Sequence, residues 1–285
     1  MENKIHLVEC PRDAMQGWTE FIPTVRKIDY INALLKVGFD TLDFGSFVSP
    51  KAMPQMADTK DVVRKLKIHN SNTKLLAIVA NSRGAEEAVV FDEITYLGFP
   101  FSVSPTFQMR NANSSIELSL LTVEAIHDLC LNHNKKAVLY ISMGFGNPYN
   151  DPYSTDTVLK WVDKLADLGI GIISLADTVG LAEQSQITSL LNILIPAYPK
   201  IQLGIHLHSS VRNWKQKIDA ALKAGCKRFD GALRGIGGCP MADDELVGNL
   251  DTTLMIPYFE QQGLLPDLNK DALRECLVIA DEIFK

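Results

Sequence analysis

Two histidines separated by one residue, His206-Leu207-His208, are the sharpest chemical signal in the chain. Residues at i and i+2 of a strand project to the same face, so both imidazoles could reach one ion, and imidazole suits Zn, Mn, Fe and Ni. The same pair could equally be packed and hydrogen-bonded core histidines. Asp13 shifts the balance towards metal, because a carboxylate beside two imidazoles makes a three-ligand site with a position left open for substrate. Arg12 precedes it, and a fixed guanidinium next to a metal stabilises an oxyanion or enolate. In isolation, the Arg12-Asp13 step would read as a surface ion pair. Gly235-Ile236-Gly237-Gly238-Cys239-Pro240 could cradle a phosphate or form a mobile lid, and Cys239 in that loop is placed for a reactive thiol. Asp43 and Asp177 read as helix-capping or supporting carboxylates as readily as catalytic ones.

These residues are useful only if the fold brings them together. Short apolar runs recur at 6–10, 41–46, 74–80, 93–99, 137–142, 173–178, 203–208 and 228–233, and helix-length segments separate them. Strand and helix therefore alternate, which predicts parallel strands with crossover helices. An echo across 33–44, 164–177 and 220–233 places a glycine just after a helix in each copy, where it can close the helix in the left-handed conformation. Eight such units fit an α/β TIM-type (β/α)8 barrel, and the single domain is expected to run over 1–285, with 240–285 as a terminal loop and a C-terminal helical extension. An open doubly wound sheet is the alternative, but no GxGxxG turn follows the first strand. In a closed barrel the first and eighth strands are neighbours, so Asp13 is expected near the ends of the strands that carry His206, His208 and the glycine loop.

Composition excludes several classes. The chain has 285 residues, 46% of them hydrophobic and 22% charged, with a formal charge of −6, which offers no basic surface for nucleic acid. No apolar run reaches membrane-spanning length, and the first ten residues lack the layout of a signal peptide, so a cytoplasmic protein without membrane association is expected. Five cysteines without a CxxC pair predict no zinc or disulfide framework; four of them, Cys10, Cys130, Cys226 and Cys276, read as structural.

Arg12-Asp13-x-x-Gln16, SFVSPK at 46–51 followed by MPQM at 53–56, His206-x-His208 and Gly237-Gly238-Cys239-Pro240 occur in that order. With these motifs, nearly the whole chain resembles the 3-hydroxy-3-methylglutaryl-CoA lyase family. The resemblance implies Mg2+ or Mn2+ on Asp13, His206, His208 and Asn249, with Arg12 steadying the enolate of departing acetyl-CoA. Cys239 would shuttle a proton, Asp43 would stand at the position of a catalytic or supporting glutamate, and Asp177 would lie near the substrate hydroxyl. Gln16, Gly237 and Gly238 would contact substrate. The implied reaction cleaves 3-hydroxy-3-methylglutaryl-CoA to acetyl-CoA and acetoacetate, as in leucine degradation and ketone-body formation, by a homo-oligomer (dimer or tetramer).

Alternatives are another 3-hydroxy-3-alkylglutaryl thioester, a Claisen-type condensation, or a non-catalytic barrel used as a scaffold. The chain departs from the family pattern in several places. Asp43 replaces a glutamate, Ala14 replaces a glycine, and Gly17-Trp18-Thr19 stands where a basic loop is usual. Ser209-Ser210-Val211-Arg212 stands where an acid and Thr-Tyr/Phe-Gly are usual, and Met241 replaces an aromatic residue.

Overall fold

The computed structural model describes residues 4–238 and 248–285. Eight strands are present: β1 (His6–Glu9), β2 (Thr41–Ser46), β3 (Lys74–Ile78), β4 (Ile94–Ser102), β5 (Lys136–Ser142), β6 (Ile172–Asp177), β7 (Gln202–Ser209) and β8 (Arg228–Gly231). Each pairs in parallel with the next, and β8 pairs with β1, closing the sheet into a (β/α)8 barrel. The helices between strands are α1 (Pro11–Gln16), α2 (Thr24–Leu34), α3 (Thr59–Val63), α4 (Ser82–Val89), α5 (Pro105–Ala112), α6 (Ile116–Asn132), α7 (Thr155–Asp167), α8 (Gln184–Ala197) and α9 (Trp214–Lys223). After β8 come a two-residue strand β9 (Gly248–Asn249) and helices α10 (Thr252–Gln261) and α11 (Lys270–Ile283). Among the described residues, no helix is long and apolar enough to cross a membrane.

Local chemistry accounts for the boundaries. Side chains of Asn81, Ser104, Ser115, Ser154, Asp251 and Asn269 accept backbone N–H groups at the starts of their helices, satisfying donors that the helix itself cannot. Gly38, Gly169 and Gly225, the three glycines of the sequence echo, have φ of +93°, +87° and +91°, so each takes the left-handed conformation expected of it. The helix-length segment between β2 and β3 holds only a short helix. Pro54–Met56 forms a separate 3-10 turn before it, and Arg64 already caps α3.

Side chains alternate between the two sides of the barrel wall. Outward residues such as Leu7, Leu42, Leu97, Ile205 and Phe229 join the main core beneath the helices, while Leu76, Ile78, Val138, Tyr140 and Ile172 form a second cluster. That second cluster is not purely apolar. Arg228 is fully buried, and Gly204 on the neighbouring strand makes room for it: a Cβ there would lie 2.7–2.9 Å from the Arg228 side chain.

Glu9 is fully buried. Its Oε1 accepts the Leu233 N–H at 2.7 Å, whereas Oε2 has no partner. Burial pushes its carboxyl up to about 8, so the folded state keeps a proton that the unfolded chain releases near 4.5. Glu9 therefore supports folding most fully below pH 4.5, and that contribution is lost as pH rises to about 8. Glu9→Gln should flatten this part of the dependence of Tm on pH and melt higher than the parent at pH 8, by scanning calorimetry. An unchanged slope between pH 5 and 8 would rule out the assignment.

Candidate metal and active site

The C-terminal ends of β1, β2, β7 and β8 converge on one cluster. The loop after β1 is not irregular: Pro11 occupies the first turn of α1, where its missing N–H costs nothing, and the helix presents Arg12 and Gln16 one turn apart on one face. Arg12 Nη1 donates to Asp13 Oδ1 and to Gln16 Oε1, both at 2.8 Å. Arg12 Nε donates to both oxygens of Asp43 at 3.2 and 3.0 Å, and Nη2 donates to Asp43 Oδ2 as well. Of the five guanidinium N–H groups, four are thereby engaged, and one on Nη2 is left for another oxygen.

Asp13 Oδ1 also accepts Gln16 Nε2 at 2.5 Å, and Asp13 Oδ2 accepts Asn249 Nδ2 at 2.7 Å. Burial opposes its charge, but Arg12, His206 and His208 outweigh that and hold the Asp13 carboxyl below the usual range. Burial works against the Arg12 charge too, and Asp43 and Asp13 more than reverse it, so Arg12 stays protonated. Asp43 goes the other way: burial lifts its carboxyl despite the guanidinium across from it. The shorter side chain reaches Arg12 with both oxygens.

Asp13, His206 and His208 each offer a ligand atom, and these atoms lie within 4.8 Å of one another. His208 Nδ1 is 2.7 Å from the Asp177 carbonyl oxygen, and its Nε2 is buried without a partner among the described residues. Asn249 spends its amide nitrogen on Asp13 and on the Ile236 carbonyl oxygen at 2.9 Å, which leaves Oδ1 buried and without a partner among the described residues. Orphaned acceptors beside a carboxylate fit a divalent cation. Asn249 reaches the cluster because β9 pairs antiparallel with the end of β7, His208 opposite Asn249. A two-residue strand has no periodicity, so the sequence pattern showed only a loop there.

His206 Nδ1 lies 3.5 Å from Asp230 Oδ2, and Ser174 Oγ donates to that same oxygen at 3.3 Å. Burial lowers the His206 pKa, but the Asp230 and Asp13 carboxylates prevail and raise it, whereas burial and His206 together lower that of His208. Asp230 and Arg228 were missed in the sequence. They alternate around Phe229 as the histidines alternate around Leu207, and two charges on one face of an apolar strand were the available signal.

The remaining candidates divide. Gly237 (φ +91°) lies against α1: a Cβ there would be 2.5 Å from the Asp13 carbonyl oxygen and 2.8 Å from Ala14 Cα. Gly238 is buried beside it with φ of +147°. Asp177 is at the end of β6, but its carboxylate is committed, one oxygen to Lys217 Nζ at 2.7 Å and the other to the Ala182 N–H at 3.0 Å. The Asp177 atom that touches the ligand cluster is its backbone carbonyl. Cys239 and Met241 lie outside the described residues. Cys10, Cys130, Cys226 and Cys276 are buried free thiols whose pKa values burial raises, up to about 12 for the last three, as structural cysteines require.

Comparison with known proteins gives this arrangement its context. The HMGL-like family model matches residues 5–279. Hydroxymethylglutaryl-CoA lyase YngG of Bacillus subtilis is 30% identical over 266 residues, covering 92% of this chain and 87% of the relative. The (R)-citramalyl-CoA lyase of Chloroflexus aurantiacus is 28% identical, with 93% and 86% covered. Among solved structures, an HMG-CoA lyase from Acinetobacter baumannii in complex with coenzyme A and 3-methylmalate superposes with a TM-score of 0.89 at 29% identity, covering 97% of this chain and 90% of that one. Fold, ligand cluster and relatives agree: the chain is a lyase of the HMGL-like family.

Proposed function

We propose that the protein cleaves 3-hydroxy-3-methylglutaryl-CoA to acetyl-CoA and acetoacetate. The observation that carries this reading is the one Arg12 N–H without a partner among the described residues, beside the Asp13, His206 and His208 cluster. Asp13, His206, His208 and Asn249 would hold Mg2+ or Mn2+, which when bound acidifies the substrate's tertiary hydroxyl and polarises the oxygen that becomes the ketone. Transfer of that hydroxyl proton to the Cys239 thiolate lets the bond between C2 and C3 break, its electron pair passing to the thioester as an enolate. Arg12, held rigid by Asp43, Asp13 and Gln16, stabilises the enolate oxygen through its free N–H. Cys239 then delivers a proton to the enolate carbon. Asp43 fixes the guanidinium, and the glycines at 237 and 238 let the loop backbone approach the acyl group closely. The coenzyme A portion would extend towards a cleft of about 490 Å³ between the loops after β5 and β6, lined by Phe145, Asn147, Tyr153 and Leu181.

A second reading shortens the acyl group. The citramalyl-CoA lyase relative, at 28% identity, favours a substrate whose free carboxylate sits on the hydroxyl-bearing carbon itself. Both substrates release acetyl-CoA, so the companion ketone distinguishes them. Incubating purified protein and Mg2+ with each thioester and identifying that product tests the proposal. Acetoacetate from the methylglutaryl thioester is the expected result; turnover of citramalyl-CoA alone would transfer the assignment, and turnover of neither would end it.

A further inference from the structure

His208 is gripped from behind by a lysine that the reaction does not use. Lys217 is on α9, a helix whose polar residues otherwise face outward, yet it is only 3% exposed. Its ammonium group has three N–H donors and finds three acceptors: Asp177 Oδ2 at 2.7 Å, the His208 carbonyl oxygen at 2.7 Å and the Gly180 carbonyl oxygen at 3.2 Å. Asp177 in turn accepts the His208 ring through its own backbone carbonyl, at 2.7 Å from Nδ1.

The contacts close a ring that runs from Lys217 to the His208 backbone, through the imidazole to the Asp177 backbone, and through the Asp177 carboxylate back to Lys217. We infer that Lys217 is a positioning residue for the metal site: it locks the backbone and ring of His208 so that Nε2 faces Asp13 and His206.

The energetics support that role over packing alone. A lysine gains nothing from burial unless its charge is matched, and here a buried carboxylate and two carbonyl oxygens match it at the end of β7. Fixing Nδ1–H towards a carbonyl also selects the tautomer whose lone pair is on Nε2, the buried nitrogen without a partner. The carboxylate that the sequence pattern lacks after His208, where Ser209 stands, is not needed for this. Lys217 and Asp177 supply the orientation from α9 and β6 instead.

The inference rests on the metal reading, and the experiment keeps the two apart. Mn2+ affinity is measured by titration with detection of free Mn2+ by electron paramagnetic resonance, alongside Tm of the metal-free protein. Lys217→Met leaves Asp177 unpaired, so the double variant Lys217→Met with Asp177→Asn is made as well; it removes both charges while keeping the backbone carbonyl that meets His208. Lys135→Met is the control, because Lys135 is another buried lysine that caps two carbonyls, of Phe91 and Ile94, at 2.7 Å each, away from the cluster.

Both Lys217 variants should bind Mn2+ about 10- to 100-fold more weakly. Lys135→Met should lower Tm yet bind Mn2+ as the parent does. If the parent binds Mn2+, His208→Ala loses it and the double variant binds within two-fold of the parent, Lys217 is a packing residue and the inference is overturned. If His208→Ala binds like the parent, the metal reading fails, and this inference with it.

Discussion

Asp13→Asn should leave a folded barrel that no longer holds a divalent cation, with kcat/KM lowered by about 10³-fold or more. Asp13 is the one anion among the four proposed ligands, and its two oxygens already accept from Arg12, Gln16 and Asn249. An amide in its place removes the charge that balances the cation. It also turns an N–H₂ group towards at least one of those donors, so the hydrogen-bond cage opens just where the ligand was fixed. Several kcal/mol of transition-state stabilisation depend on the cation, and about 1.4 kcal/mol corresponds to each tenfold in rate. The check is calorimetric as well as kinetic. Chelation should lower Tm of the parent and leave that of Asp13→Asn unchanged, because a ligand that binds only the folded state stabilises it by mass action. A variant that retains Mn2+ affinity would remove Asp13 from the ligand set.

The second large effect is expected from Arg12→Lys, a change that keeps the charge. Arg12 spans Asp43 with Nε and Nη2, spans Asp13 and Gln16 with Nη1, and still has a donor to spare. Lysine brings three donors from one point and cannot bridge those carboxylates while also meeting a substrate oxygen. Asp43, fully buried, would then lose the bidentate grip of the guanidinium, and burial would drive it further towards the neutral form. kcat should fall about 10²- to 10³-fold with KM nearly unchanged, the pattern of an interaction realised in the transition state. A variant that raised KM and spared kcat would instead make Arg12 a binding residue.

The fold was legible in the sequence because its strands are short, apolar and separated by helical periodicity. All eight lie where the apolar runs placed them, including the run at 93–99, which extends to Ser102 as β4. Ligand geometry was legible only where it is local. His206 and His208 share a face by strand periodicity, and Asp13 joins them because β1 and β8 close the barrel. What stayed hidden depends on tertiary contact. Lys217 lies one helical turn from Ala221 and next to Ile218, on the buried face of α9, and a lysine at such a position was the clue available. Asp177 was placed correctly at its strand end, but only coordinates show its carboxylate turned to Lys217 while its backbone serves His208. Between β4 and β5 the chain forms two helices, α5 and α6, where one unit of the repeating pattern needs only one.

Gly237 on one side and β9 on the other give the active-site loop two fixed ends. Its first end lies against the backbone of Asp13, its second carries Asn249, and the Ile236 carbonyl oxygen joins them through the Asn249 amide. The residues on either side of 239–247 are thus tied both to the metal site and to each other. A side chain added at Gly237 would press on the Asp13 backbone 2.5 Å away, so this flank of the loop and the ligand cluster can change only together.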